Sequence, residues 1–211
     1  ACANIKSINQ IHAQIFITGI NHFNLLQTKL VTMYAECGNM DFARQVFDKM
    51  REPNTNTILW NAMIREYARH GPCEEAIVVY STMHYRGIQP DNYTFPFVLK
   101  ACAGISALHE GMQIHVRIIR SGLESDVFVT SALVQMYVKS GRIKEARQVF
   151  DKMSKRDVVS WNAMVAGYVK NGFANEALSL FDQMQLRGVM PDLFTMASML
   201  QACALLGDLE Q

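Results

Sequence analysis

Five cysteines and six histidines are the residues of this chain with the chemistry for catalysis or metal binding. Cys2, Cys37, Cys73, Cys102 and Cys203 form no Cys-x-x-Cys pair, so the spacing that holds zinc or poises a redox dithiol is missing. Cys2, Cys102 and Cys203 are one position recurring inside the tripeptide ACA, which points to small buried residues rather than to ligands or a disulfide framework. His12 and His115 likewise repeat one position, each in an Ile-His pair, and read as structural. His22, His70, His84 and His109 lack partners at ligand spacing. Neither a metal site nor a nucleophile beside a base is legible. Hydrogen-bonding chemistry is better supplied. Asn61 and Asn162 each follow a tryptophan, and Asp91, Asp126, Asp157 and Asp192 stand at the joints of repeated segments. An asparagine amide both donates and accepts. Taken singly, these asparagines suit the first turn of a helix, and the aspartates suit N-caps, accepting from free backbone N–H groups.

Repetition defines the elements that would position these groups. The tetrapeptide WNAM stands at 60–63 and 161–164, ARQVFDKM at 43–50 and 146–153, and ACA at 1–3, 101–103 and 202–204. The offsets of 101, 103, 100 and 101 residues give a period of about a hundred, built from three units of roughly thirty to thirty-five, and such self-similarity is the signature of a solenoid. In the unit Asp157–Pro191, Val158–Lys170 places Val159, Trp161, Met164, Val165 and Tyr168 at helical spacing. Asn171-Gly172 ends that helix, since glycine accepts the left-handed conformation found there. Ala174–Leu186 is a second helix, with Ala177, Leu178, Leu180, Phe181 and Met184 on its buried side, and Arg187-Gly188 ends it. Glycines at 38, 71, 104, 141, 172 and 207 are expected between first and second helices, and those at 19, 87, 122 and 188 after second helices. The units run 1–22, 23–55, 56–90, 91–125, 126–156, 157–191 and 192–211. The fold class is all-α, built of antiparallel helical hairpins with no strands.

Half the residues are hydrophobic and 20 basic residues balance 19 acidic ones, a net charge of +1. No apolar run reaches the ~18 residues of a membrane span. Initiator Met, signal peptide and Arg/Ser-rich transit segment are not found, and the chain opens and closes inside repeats, so it reads as part of a longer protein.

The wording of three segments carries a resemblance. They are VVSWNAMVAGYVKNGFANEALSLFDQMQLRGVMPD, VFVTSALVQMYVKSGRIKEARQVFDKMSKRD and NYTFPFVLKACAGISALHEGMQIHVRIIRSGLESD. These resemble the P, S and L motifs of the pentatricopeptide repeat family, in its mixed-length subclass of plant organellar RNA-binding proteins. The tetratricopeptide pattern fits less well: Trp161 and Tyr168 keep its spacing, but Met164-Val165 and Met63-Ile64 stand where it has Leu-Gly. On the P/L/S reading, 23–55 and 126–156 are S repeats, 56–90 and 157–191 P repeats and 91–125 an L repeat, with L repeats ending at 22 and starting at 192.

The resemblance implies a right-handed α-solenoid of about five to six units whose first helices line a concave groove for single-stranded RNA, one base per repeat. It implies that the fifth and last residues of each motif read the base edge. The pairs are Thr28 with Asn56, Asn61 with Asp91, Pro96 with Asp126, Ser131 with Asp157, and Asn162 with Asp192. By the family's pairing rules they spell 5′-A-U-Y-G-U-3′, with the RNA parallel to the protein. Leu25, Ile58, Tyr93, Phe128, Val159 and Phe194, the second residues, would sandwich the bases, although an apolar stripe at helical spacing equally suits a core. Arg69, Lys139 and Lys170, at equivalent places near the ends of first helices, would contact phosphates, or merely offset the helix dipole.

The expected function is guiding C-to-U editing, or another processing step, of a transcript in the mitochondrion or chloroplast. Mixed-motif members often end in a zinc-deaminase-like domain with an HxE…PCxxC signature; neither half occurs here, so the chain itself is not expected to be an enzyme. Single-stranded RNA is the implied partner, with editing-factor proteins or a deaminase beside it. No cofactor, metal, membrane or small-molecule substrate is implied. The rival class is a structural or protein-interaction solenoid, such as a scaffold subunit of an organellar ribonucleoprotein, which would have no reason to keep hydrogen-bonding pairs at the fifth and last positions.

Overall fold

The computed structural model describes residues 5–20, 23–50 and 57–209. Among them are twelve α-helices and no strand. The helices are α1 (Ile5–Ile17), α2 (Asn24–Glu36), α3 (Met40–Asp48), α4 (Thr57–His70), α5 (Cys73–Tyr85) and α6 (Phe95–Gly104), then α7 (Leu108–Arg120), α8 (Val127–Lys139), α9 (Ile143–Lys152), α10 (Val158–Lys170), α11 (Ala174–Leu186) and α12 (Leu193–Leu209). The chain divides into two compact units, residues 1–101 and 102–211.

Both units are built by one rule. In the first, α2 packs on α1, α3 and α4, and α4 on α3 and α5. In the second, α8 packs on α7, α9 and α10, and α10 on α9, α11 and α12. Helices α2, α8 and α10 thus each touch their own second helix, the preceding second helix and the next first helix, which is the nearest-neighbour stacking of a helical repeat solenoid.

The repeated words are repeated contacts. In both copies of ARQVFDKM the alanine, valine, phenylalanine and final methionine are buried, while Arg44–Asp48 and Arg147–Asp151 pair across one exposed turn at 2.9 and 2.8 Å. The tryptophan of each WNAM meets that phenylalanine edge to face: Phe47–Trp60 at 4.8 Å and Phe150–Trp161 at 4.9 Å between centroids. Both indoles are at most 1 % exposed.

Helices α10 and α11 have the expected bounds, and Gly172 ends α10 with φ 78°. The Phe173 N–H then reaches Tyr168 O at 2.9 Å, closing a left-handed cap. Other stops differ from expectation. Gly104 stays helical and Ser106 takes the left-handed conformation instead, at φ 57°, with the Ala107 N–H bonded to Cys102 O at 2.9 Å. Gly71 keeps a negative φ. Gly207 ends nothing: α12 runs through it to Leu209. Of the recurring cysteines, Cys102 is buried but Cys203 is exposed, because α12 packs only on α10 and α11 and its outer face has no neighbour among the described residues. Cys2 and His22 lie outside the described residues.

Candidate nucleic-acid interface

On a helix, the second and fifth residues of each unit are three apart and share one face. That face is where polar and apolar groups meet here. Leu25, Ile58, Tyr93, Phe128, Val159 and Phe194 are 44 to 77 % exposed, so they are not core. Val159, which shares the helical spacing of Trp161, Met164 and Val165 and is also one of the second-position residues, is exposed with the latter set, while those three turn inward. Each of the two compact units thus holds three large apolar side chains in solvent at one recurring position, available to flat apolar partners.

Beside them sit the hydrogen-bonding groups. In the first unit, Asn61 Nδ2 donates to Asp91 Oδ1 at 3.0 Å. In the second, Ser131 Oγ donates to Asp157 Oδ1 at 2.8 Å, and Asn162 Nδ2 donates to both Asp192 oxygens at 2.9 Å. The structure thus joins three of the five expected pairs. Pro96 has no side-chain donor or acceptor, and Asp126 serves as the N-cap of α8, accepting from Phe128 N–H and Val129 N–H. Thr28 is half-buried on α2, while Asn56 lies outside the described residues.

The aspartates cap as well. Asp157 accepts the Ser160 N–H at 2.9 Å, and Asp192 the Thr195 N–H at 2.9 Å. Asp91 accepts from Tyr93 N–H and Thr94 N–H, both at 2.9 Å. The Thr195 amide, then the Asn162 and Thr195 side chains, hold the Asp192 carboxyl below its usual range, so it stays an acceptor at neutral pH. Capping and orienting are done by the same carboxylate; the two readings of these aspartates do not compete.

Two further residues join the pairs: Thr94 Oγ1 lies 2.6 Å from Asn61 Oδ1, and Thr195 Oγ1 2.5 Å from Asn162 Oδ1. Sequence reasoning missed both threonines. Their signal was position, three residues after an aspartate that follows an asparagine-bearing unit.

Of the expected phosphate contacts, Arg69, Lys139 and Lys170 are all exposed. The Arg69 guanidinium lies 5.6 Å over the Phe97 ring. Lys170 edges an open groove of about 550 Å³ lined by Ala166, Val169, Gln201 and Leu205. Arg65, also on a first helix, is spoken for: its Nε is 2.7 Å from the buried Glu66, and its guanidinium 3.7 Å from Glu36.

His12 and His115 are structural as expected, with Nδ1 3.0 Å from the Tyr34 hydroxyl and 2.9 Å from the Tyr137 hydroxyl. No group of three or more metal-ligating side chains occurs among the described residues.

Comparison with known proteins bears on the family and the fold. The model of the PPR repeat family matches residues 55–104 and 156–204, and that of the PPR repeat matches 28–54 and 128–158. A pentatricopeptide repeat-containing protein of Arabidopsis thaliana is 40% identical over 206 residues, 97% of this chain and 29% of that protein. Another from Arabidopsis thaliana, named as chloroplastic, is 45% identical over 184 residues, 87% of this chain and 21% of that protein. The chain therefore spans less than a third of the length of these relatives. Among solved structures, that of the pentatricopeptide repeat protein PPR10 in complex with an 18-nt psaJ RNA element has a TM-score of 0.72 at 22% identity, over 94% of this chain and 30% of that one. With family models covering most of its length and the same helical repeat fold, this chain belongs to the pentatricopeptide repeat (PPR) family.

Proposed function

We propose that this chain binds single-stranded RNA, one base per hairpin, through the second, fifth and last residues of its units. One observation carries the reading: bonded Asn–Asp and Ser–Asp pairs each stand one helical turn from an exposed apolar side chain. Such a set offers a hydrogen-bonding edge and a stacking face together, the two things an unstacked base needs. The PPR10 structure with bound RNA supports the same use of the fold.

The pairs Thr28–Asn56, Asn61–Asp91, Pro96–Asp126, Ser131–Asp157 and Asn162–Asp192 then read 5′-A-U-Y-G-U-3′, with Leu25, Ile58, Tyr93, Phe128, Val159 and Phe194 against the base faces and Arg69, Lys139 and Lys170 toward phosphates. The longer protein acts in a plant organelle, mitochondrion or chloroplast, guiding C-to-U editing or another processing step. The chain contributes recognition only; the reaction belongs to a further domain or to a partner deaminase, with editing-factor proteins alongside.

The test is binding to RNA containing AUUGU, against scrambled RNA and the matching DNA at one salt concentration. Preference for the AUUGU strand is expected. Equal binding to all three, or to none, would return the array to a scaffold role.

A further inference from the structure

The threonines behind the two asparagines are wired to hold the amides in one orientation. Thr94 is fully buried. Its Oγ1 accepts the Asp91 N–H at 3.0 Å and has two acceptors in reach, Asn61 Oδ1 at 2.6 Å and Asp91 Oδ1 at 2.9 Å. A hydroxyl has one proton to give. Asp91 Oδ1 already takes N–H bonds from Asn61, Tyr93 and Thr94, so the proton goes to the shorter and less occupied contact, Asn61 Oδ1. Thr195, equally buried, repeats the arrangement. It accepts the Asp192 N–H at 3.0 Å and donates to Asn162 Oδ1 at 2.5 Å, while Asn162 Nδ2 bonds the Asp192 carboxylate at 2.9 Å.

Each amide is therefore held at both ends. Flipping it would set Oδ1 against a carboxylate oxygen and would break the threonine bond. What remains for a ligand is one Nδ2–H and one Oδ1 lone pair, in fixed places. The other two joints among the described residues lack this wiring. Behind Ser131–Asp157, Ser160 turns its hydroxyl to the Asp157 carbonyl oxygen at 2.8 Å. Behind Asp126, the equivalent residue is Val129, fully buried and without a hydroxyl. The link occurs where the reading residue is an asparagine, and is missing where it is serine or proline.

We infer that Thr94 and Thr195 are positioning residues that set the choice between uracil and cytosine at the asparagine sites, an assignment that rests on the base-reading function above. Along the Watson–Crick edge, uracil offers a donor at N3 and an acceptor at O4, and cytosine an acceptor at N3 and a donor at N4. An amide flip exchanges Nδ2–H and Oδ1, which exchanges the base it matches. Locking the amide fixes the choice.

The test is Thr195→Val and Thr195→Ser in this chain, with four RNAs differing only at the base opposite Asn162. Val129 shows that valine fits the equivalent site, so folding is expected to hold, with melting temperature as the check. Wild type and Thr195→Ser should favour uracil over cytosine by about tenfold, the worth of one good bidentate contact, and Thr195→Val should lower that ratio to about threefold, the Asp192 carboxylate still opposing the flip. A folded Thr195→Val with the wild-type ratio overturns the assignment alone. A wild-type chain with no base preference there overturns base reading itself, and this assignment with it.

Discussion

Ser131 Oγ lies 2.8 Å from Asp157 Oδ1, and the same carboxylate oxygen accepts the Ser160 N–H that opens α10 at 2.9 Å. One acidic oxygen thus starts α10 and orients a hydroxyl on α8, the first helix of the preceding hairpin. Asn162 and Asp192 repeat the relationship with an amide in place of the hydroxyl. At the joints Asp91, Asp126, Asp157 and Asp192 the carboxylate is constant while the fifth residue varies between asparagine, proline and serine.

That division makes an exchange at the fifth position testable. Asn162→Ser recreates the Ser131–Asp157 pair on the Asp192 cap, so the base opposite should change from uracil toward guanine by about tenfold, one bidentate contact's worth. The cap is untouched, and the melting temperature should stay within a degree or two. Competition binding with RNAs varied at that base reads the change. Unaltered selectivity with intact binding would remove Asn162 from the reading set.

Phe128→Ala separates stacking from packing. The ring is 73 % exposed, so its loss should leave thermal stability nearly unchanged, while RNA binding weakens by the ~1–3 kcal/mol typical of a base–aromatic stack. A large drop in melting temperature with unchanged binding would mark it as a packing residue.

The helices, their pairing and most of the core were legible because a repeated sequence has to bury the same face each time. WNAM and ARQVFDKM revealed the period by recurrence, and each copy makes the same Trp–Phe contact. Less legible was anything set by a neighbour rather than by period. Val159 fits an inward stripe by spacing, but the second position of a first helix points to solvent. Gly104 and Gly207 are glycines in the right register, yet Ser106 takes the left-handed turn in one case and α12 continues in the other. The fifth-position residues could be picked out, but not the bonds that Thr94 and Thr195 make, because a hydroxyl three residues past an aspartate also reads as ordinary capping.

Trp161→Ala tests the shared core. The indole is 1 % exposed and packs edge to face on Phe150; emptying that space should cost about 3–5 kcal/mol. Because each hairpin is stabilised by its neighbours, denaturant unfolding should lose cooperativity as well as midpoint. A loss below ~1 kcal/mol would mean that the site collapses without a cavity.

Lys139→Ala and Lys170→Ala should act through salt. If each side chain neutralises one phosphate, each substitution lowers the slope of log K against log salt by about 0.7 for a single strand, with base preference unchanged. An unchanged slope would leave these lysines as dipole partners of their helix ends.

His115 should give stability an acid-sensitive component. Burial, then the charge of Lys152, pushes its pKa below the ordinary 6.5. It lines a cavity of about 450 Å³ with Glu124, Tyr137, Glu145 and Lys152, and its Nδ1 is 2.9 Å from the Tyr137 hydroxyl. Above 6.5 the ring is neutral in folded and unfolded chains alike, and its contribution is complete. As pH falls from 6.5 toward the lowered folded value, the unfolded chain takes the proton first, so stability is lost across that window and levels off below it. His12 has the same shift from burial and Lys49. Denaturant midpoints of wild type should therefore fall between pH 7.5 and 5, and His115→Gln should flatten part of that fall, with His12→Gln removing a further part. An identical pH profile in the double substitution would mean that neither imidazole is held neutral by the fold.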